Sequence, residues 1–372
     1  MSRNRPDACP STLQLHDAAD GPLARIRLPG GRLSPAQLEA LALAAADVAS
    51  GSLELTSRGN VQLRAVTDAD ELRTRLSDVG LLPSSTHERV RNIVASPLSG
   101  RVGGVGDIES LIGGLDAALQ AEPVLADLPG RVLFSLDDGR GDVSGLGADI
   151  GLHAVAPDDF ALVLAGVDSG ARVSRADAVD VMAHAAKEFV ALRDTEWRLR
   201  EIENGAQSVL AALCREPTDT PIEFSPAMPP VGWIDQDDGG VTLGAAVKFG
   251  SLDARTAQFL AAVERPVVFT PWRTVVLSDL DEWTAEQVVR VLAPMGLIFD
   301  ADSPWLTVSA CAGRPGCAKA LADVRADATA AVENGELPVI GRQHWAGCER
   351  RCGRPGGEAV DVVSTGDGYR IT

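Results

Sequence analysis

"RLPGGRLSPAQLEALALAA", residues 27–45, returns in altered form as "AVKFGSLDARTAQFLAAVE", residues 246–264. Each copy runs from a strand end through glycine into a capped apolar helix. Ser34 with Pro35 starts the first helix and Asp253 starts the second, because a side-chain oxygen there satisfies free helical N–H groups. The segments beyond the two helices match as well. "SLELTSRGNVQLRAV" (52–66) and "PVVFTPWRTVVLSDL" (266–280) both read as paired strands around a turn. "VGLLPSSTHERVRNIVAS" (79–96) stands against "MGLIFDADSPWLTVSAC" (295–311), so Gly80 pairs with Gly296 and Ser96 with Cys311. So long a period is a duplication rather than a solenoid.

The order of elements predicts an α+β fold of two halves related by a pseudo-twofold. Each half is a small strand–helix–strand unit followed by a larger mixed α/β domain. The boundaries expected are 12–75 and 76–216 for the first half and 230–290 and 291–372 for the second. A linker at 217–229 contains most of "TPIEFSPAMPP" (220–230), rich in proline and polar residues.

Composition limits what such a protein does. The chain has 372 residues, and its net charge of −18 argues against a nucleic-acid or anionic-membrane binder. No apolar run reaches membrane-span length, and "MSRNRPDACPSTLQ" lacks the apolar core of a secretory signal. The expected location is the cytoplasm. Lys187, Lys248 and Lys319 are the only lysines. Arginine abundance by itself therefore decides nothing.

Four of the six cysteines fall in the last quarter, in "CAGRPGC" (311–317) and "GCERRCGRP" (347–355). In a reducing compartment, close pairs point to metal or redox chemistry before disulfides. Cys9 and Cys214 read instead as small buried hydrophobes. The helical stretch "AKALADVRADATAAVENG" (318–335) places Cys317 at or just before a helix N-terminus, where anionic sulfur is favoured. "LPVIGRQHW" (337–345) reads as a strand that delivers Cys348 and Cys352. Four thiolates suit zinc or a cubane cluster, and the five-residue gap between Cys311 and Cys317 counts against zinc.

Joined to the duplication, this spacing resembles the sirohaem-type nitrite and sulfite reductase superfamily. "LTSRGNVQLR" (55–64) is similar to that family's strand motif with a substrate-side arginine, and "VRNIVASP" (90–97) to its Arg-Asn-Val signature. "LPGRVLFSLDDG" (128–139) and "DIGLHAV" (149–155) resemble its first-half strand and closing segment. "VSACAGRPGCAKALADVRADA" (308–328) and "HWAGCERRCGRP" (344–355) look most like its precorrin-3B synthase branch, from aerobic cobalamin biosynthesis.

That resemblance implies a [4Fe–4S] cluster on Cys311, Cys317, Cys348 and Cys352. It also implies oxygen-dependent hydroxylation of precorrin-3A at C20 with γ-lactone formation. Dioxygen and an external reductase or ferredoxin are the implied partners. A mononuclear non-haem iron is associated with the family, but no histidine pair here shows metal-ligand spacing. His344, four residues before Cys348, is the best candidate to neighbour the cluster and reads equally well as a packed strand histidine, and His184 reads as a helix-surface residue. The alternative, a nitrite or sulfite reductase, would carry sirohaem.

A polycarboxylate tetrapyrrole needs a locally positive pocket in an acidic protein. Arg58, Arg64, Arg91 and Arg131 are the candidate partners for its carboxylates, with Asn92 orienting Arg91 or donating to the substrate. The matching stretch in the reductases reads Leu-Pro-Arg-Lys-Phe-Lys. Here Arg131 and apolar Leu133 stand where its two lysines stand, so proton donors for oxyanion reduction are missing. Leu133 is expected to face the macrocycle. "GRVGGVGDIES" (100–110) lacks dinucleotide-binding spacing, which is why the electron donor is expected to be a separate protein.

Overall fold

The computed structural model describes residues 9–225 and 227–372. The first small unit comprises β1 (His16–Ala18), β2 (Gly21–Ile26), β3 (Arg32–Leu33), α1 (Pro35–Val48), β4 (Ser52–Leu55), β5 (Val61–Leu63) and α2 (Ala69–Asp78). Helix α1 starts at Ser34, which accepts from Gln37 N while the Gln37 side chain returns to the Ser34 amide. This capping box satisfies donors at the helix start. Leu38, Leu41, Ala42 and Ala45 then line one buried stripe at helical spacing.

The first larger domain holds β6 (Ile93–Ala95), α3 (Glu109–Ala121), β7 (Phe134–Asp137), β8 (Ile150–Ala156), β9 (Asp159–Leu164), β10 (Val167–Ser174), α4 (Ala178–Leu192) and α5 (Gly205–Ala212). Strands β6, β7 and β8 run parallel, and β9 and β10 extend the sheet antiparallel. The chain then passes to the second half through a segment without regular structure among the described residues. It is pinned to the first larger domain where Ile222 N donates to Asp168 Oδ2 at 2.9 Å.

The second small unit is β11 (Gly232–Asp235), β12 (Val241–Val247), β13 (Ser251–Asp253), α6 (Ala254–Ala261), β14 (Val267–Phe269), β15 (Thr274–Leu280), α7 (Glu282–Leu292) and β16 (Leu297–Ile298). The second larger domain contains β17 (Val308–Ala310), α8 (Val324–Glu333), β18 (Gln343–Ala346), β19 (Val360–Ser364) and β20 (Tyr369–Ile371). Its β17, β18 and β19 are parallel and β20 antiparallel, as in the first larger domain. Strand β16 pairs with β12 and so closes the small sheet. The small unit therefore reaches past the boundary at 291 that the sequence suggests.

The two small units exchange strands. Strand β3 of the first half pairs with β14 of the second, while β13 of the second pairs with β4 of the first. Each sheet is completed by the other half, and α1 and α6 pack together over one continuous apolar core. The crossover is tight. A Cβ on Gly31 would lie 1.9 Å from the Phe269 carbonyl oxygen, and Gly31 has φ of 71°, so only glycine fits.

The larger domains show the same equivalence at the site. Ser96 N donates to Leu136 O at 3.0 Å, and Cys311 N donates to Trp345 O at 3.0 Å. Both residues directly follow the first strand of their sheet.

Candidate functional site

Three arginines converge where the first small unit meets the first larger domain. Strand β2 carries Arg25, Arg27 directly follows the end of that strand, and the β4–β5 turn carries Arg58. Arg58 donates to Arg131 O at 2.8 Å and to Gly130 O at 3.4 Å. Arg25 donates to the Gln62 side chain at 3.0 Å and to Cys9 Sγ at 3.4 Å. Arg27 is 1% exposed and donates to Cys9 Sγ at 3.3 Å, Pro10 O at 3.4 Å and Arg89 O at 3.3 Å. Its Nη1 is buried without a partner.

Among the described residues, neither Arg27 nor Arg58 has a carboxylate within ion-pair distance. Burial first, then neighbouring positive charge, pushes both guanidinium groups down to about 10. They remain charged at neutral pH and close no ion pair, although the Cys9 thiol and, at Arg27, the buried Glu88 carboxylate favour the charged form. Such a place suits an anionic ligand that supplies carboxylates. Arg25 and Arg27 were not among the arginines singled out from sequence. Their signal is the alternation in "LARIR" (23–27) beside a glycine turn, but solvent-facing and ligand-facing arginines look alike in a strand.

The other expected binding residues take varied positions. Asn92 is a strut: its Nδ2 donates to Gly130 O and Arg89 O, both at 3.0 Å, and its Oδ1 accepts from Asn60 at 3.1 Å. Asn60 in turn accepts from Leu28 N at 2.8 Å, which ties three loops together. Arg91 directs Nε and Nη2 at Asp116, at 2.6 and 2.8 Å, leaving Nη1 buried and unpartnered. Arg131 lies over the Trp197 ring, 4.8 Å from its centroid. Arg64 stands at the other end of β5 from Arg58, paired with Asp20 and donating to Gly316 O at 2.7 Å. It joins the cysteine loop, not the arginine group. Leu133 is 5% exposed in an apolar cluster with Val94, Val143 and Ala148, and half-buried Trp272 packs on it.

All four late cysteines are free thiols, and Cys311, Cys317 and Cys348 lie near enough to Cys352 to act on its charge. Burial raises the Cys352 thiol above its ordinary value, and Cys311, Cys348 and Cys317 each push it further the same way. Cys311 Sγ accepts from Gly347 N at 3.2 Å. The expected helix start at Cys317 is corrected. Helix α8 begins at Val324, where Asp323 accepts from Ala326 N at 3.1 Å. Residues 318–323 form turns and bends instead, with Ala320 N donating to Cys317 O at 3.1 Å, so Cys317 does not itself start the helix. The chain must turn back toward β18, and Asp323 marks where helix can begin.

His344 on β18 is fully buried, with Nδ1 3.0 Å from Ser309 Oγ and no partner at Nε2. Burial first, then the Arg273 charge, holds it down to about 4, so it is neutral at physiological pH. His184 lies half-exposed on α4, 3.3 Å from Glu188. Cys9 and Cys214 are not core residues: Cys9 sits among arginines and Cys214 is exposed.

The first half has an acidic group close to where the second has cysteines. Asp137, Asp138 and Asp142 place carboxylate oxygens within 4.8 Å of one another. Their oxygens are engaged already. Asp137 accepts from the amides of Gly139, Gly141, Val143 and Ser144; Asp138 pairs with Arg140; Asp142 accepts from Ser96 Oγ at 2.5 Å. This is an internal network and does not fit a mononuclear iron site.

Comparison with known proteins matches residues 16–75 to the nitrite/sulfite reductase ferredoxin-like half domain. A precorrin-3B synthase of Sinorhizobium is 27% identical, covering 99% of this chain and 82% of the relative. A ferredoxin–nitrite reductase of Synechococcus elongatus is also 27% identical, over 90% of this chain and 74% of the relative. The NirA protein of Mycobacterium tuberculosis superimposes with a TM-score of 0.77 at 22% identity, over 94% of this chain and 74% of that one. No helix among the described residues is long and apolar enough to cross a membrane. The chain thus carries a nitrite/sulfite reductase ferredoxin-like half domain at residues 16–75, and its resemblance to a precorrin-3B synthase runs over nearly its whole length.

Proposed function

We propose that this chain is a precorrin-3B synthase, hydroxylating precorrin-3A at C20 with dioxygen and closing a γ-lactone. The observation that carries the reading is the surroundings of residues 131 and 133. Arg131 stacks on Trp197, and Leu133 is sealed in an apolar cluster. Neither is a proton donor at neutral pH, whereas reduction of an oxyanion needs repeated protonation of departing oxygen.

The substrate in this reading carries about eight carboxylates, ionised at neutral pH. Arg58 and Arg27 supply positive charge that no ion pair takes up, and Arg25 stands beside both. Asn60 and Asn92 hold the loops that carry this group in fixed relation. Binding of the anionic arms orients the ring, and half-buried Trp272, packed on the sealed Leu133 cluster, offers it an apolar surface.

Cys311, Cys317, Cys348 and Cys352 would hold the [4Fe–4S] cluster; four free thiols in glycine-rich loops, three of them close to Cys352, fit that group. When bound, the cluster supplies single electrons, which triplet dioxygen needs to react with a closed-shell molecule. The electron donor in this reading is a separate reductase or ferredoxin.

The nitrite reductase match favours a second reading, in which sirohaem is resident. Protein purified without air separates the two. A broad brown absorption bleached by dithionite, with equal iron and acid-labile sulfide, is expected, and serine at any one of the four cysteines should lower both together. Oxygen-dependent turnover of precorrin-3A is expected, with no useful reduction of nitrite or sulfite. Sharp haem-like bands with robust ammonia or sulfide formation would overturn the proposal.

A further inference from the structure

Three arginines outside the cysteine loops each donate to a backbone carbonyl at or beside a cysteine. Arg64, just after β5 in the first half, donates to Gly316 O at 2.7 Å, next to Cys317. Arg325, on α8, donates to Cys311 O at 3.3 Å. Arg273, in the β14–β15 turn, donates to Gly353 O at 3.1 Å, next to Cys352. Two of the three are anchored from the cysteine-free half. Asp20 holds Arg64 through two 2.7 Å bonds, and Glu54 of β4 holds Arg325 at 2.9 and 2.7 Å.

Arg273 is the informative member. Its φ is 61°, a left-handed conformation that favours glycine, and its counterpart in the first half is Gly59, with φ of 66°. Both turns are closed by the same bonds, Gly59 N to Thr56 O at 3.2 Å and Arg273 N to Thr270 O at 3.0 Å. One turn therefore uses glycine while the other bears strain to keep a side chain. Space is made for that side chain at both ends. A Cβ on Gly250 would fall 2.7 Å from Arg273 Cδ, and one on Gly353 would fall 3.3 Å from its Nη2. Among the described residues no carboxylate pairs with Arg273.

We propose that Arg64, Arg273 and Arg325 form a three-point clamp that positions the two cysteine loops, making the cysteine-free half a determinant of what the cysteines hold. The proposal rests on reading the four cysteines as one ligand set. Cys311 and Cys317 are held from Arg325 and Arg64, and the Cys348–Cys352 loop from Arg273. None of the three needs to touch the bound group, so they are positioning residues.

The test uses full-length protein purified without air, as parent, Arg273→Gly, Arg64→Gln and a control, Arg101→Gln, whose side chain pairs with Asp279 instead. Iron and sulfide content and the rate of bleaching by a chelator report on the bound group. Iodoacetamide alkylation of the metal-free protein, mapped by mass spectrometry, reports on the thiols directly. Arg273→Gly is expected to melt no lower than the parent, since glycine accepts the turn. It should nevertheless bleach several-fold faster and expose Cys352 to alkylation more than Cys317. Arg64→Gln should show the reverse preference, and the control should match the parent. Parental bleaching and alkylation rates in both clamp variants would overturn the proposal, as would equal acceleration at every cysteine with a lowered melting temperature. A parent without iron and sulfide would sink the cluster reading alone, and the alkylation rates would still decide the clamp.

Discussion

Glu54 of β4 and Arg325 of α8 form a two-pronged ion pair between the halves, at 2.9 and 2.7 Å, with Ser251 Oγ donating to the same carboxylate at 2.8 Å. Ser251 lies opposite Glu54 in the β13–β4 pairing, so the pair sits on the strand-exchange seam. Burial alone would raise Glu54, but the Arg325 bonds and charge outweigh it and hold the carboxyl below its usual value. The stabilisation is therefore complete above the unfolded value and lost as pH falls through the lower folded one. Arg325→Ala should cost about 3 kcal/mol, because it strands a buried carboxylate. Urea unfolding at pH 7 measures this, and the Glu54→Gln/Arg325→Gln double variant should recover much of the loss.

Asp142 should behave in the opposite sense. Burial and then the nearby Asp137 push it up to about 7, so the folded state holds a proton that the unfolded state releases near pH 4. Stability should therefore fall as pH rises between those values. For Asp137, burial raises and the His153 ring with backbone amides lowers; the lowering wins, to about 2, which adds stability as pH rises from 2 toward 4. Asp142→Asn should flatten the loss between pH 4 and 7 and raise the melting temperature at pH 8. Ser96 still finds an acceptor oxygen there. Calorimetry across this range checks both signs.

Arg27 and Arg58 should trade stability against binding. Arg27→Met removes a buried charge that forms no ion pair while keeping much of the volume, so the melting temperature should hold or rise. Affinity for a polycarboxylate tetrapyrrole should fall. Arg58→Ala should weaken the same binding by roughly 1.5–3 kcal/mol, and Arg58→Lys should not restore it, because lysine lacks the planar fork. Unchanged affinity in both Arg27→Met and Arg58→Ala would sink the assignment.

Arg91 should show itself first in folding. It is 4% exposed and holds Asp116, so Arg91→Ala should cost about 3–5 kcal/mol by leaving that carboxylate unpaired. Pairing it with Asp116→Ala should recover part of this, as read from denaturant midpoints.

The duplication is legible in sequence because its signals are local. Caps at Ser34 and Asp253, turns at Thr56–Asn60 and Thr270–Thr274, and glycines at 80 and 296 each act within a few residues. Strand exchange is not legible. Strands β3 and β14 are far apart in the chain, and their alternation says nothing about which edge they join. Helical composition over 318–323 misled for a related reason: the turn must bring Leu321 N to Gly347 O, 2.8 Å away, and that tertiary bond overrides propensity. The cysteine pairs stand out in sequence through their spacing, which becomes a cluster reading only when joined to the duplication. Arg25 and Arg27 do not, since the burial that marks them exists only in the fold.

The exchanged strands also bear on how the protein is made. During synthesis the first half emerges with the outer edge of β4 bare and β3 without a sheet to join, until the second half is complete. Unpaired edges of this kind invite other chains. Fragments severed between residues 215 and 231 would each lack one strand of their sheet, so each should be sticky alone, and mixing them should restore solubility only when both are present during refolding.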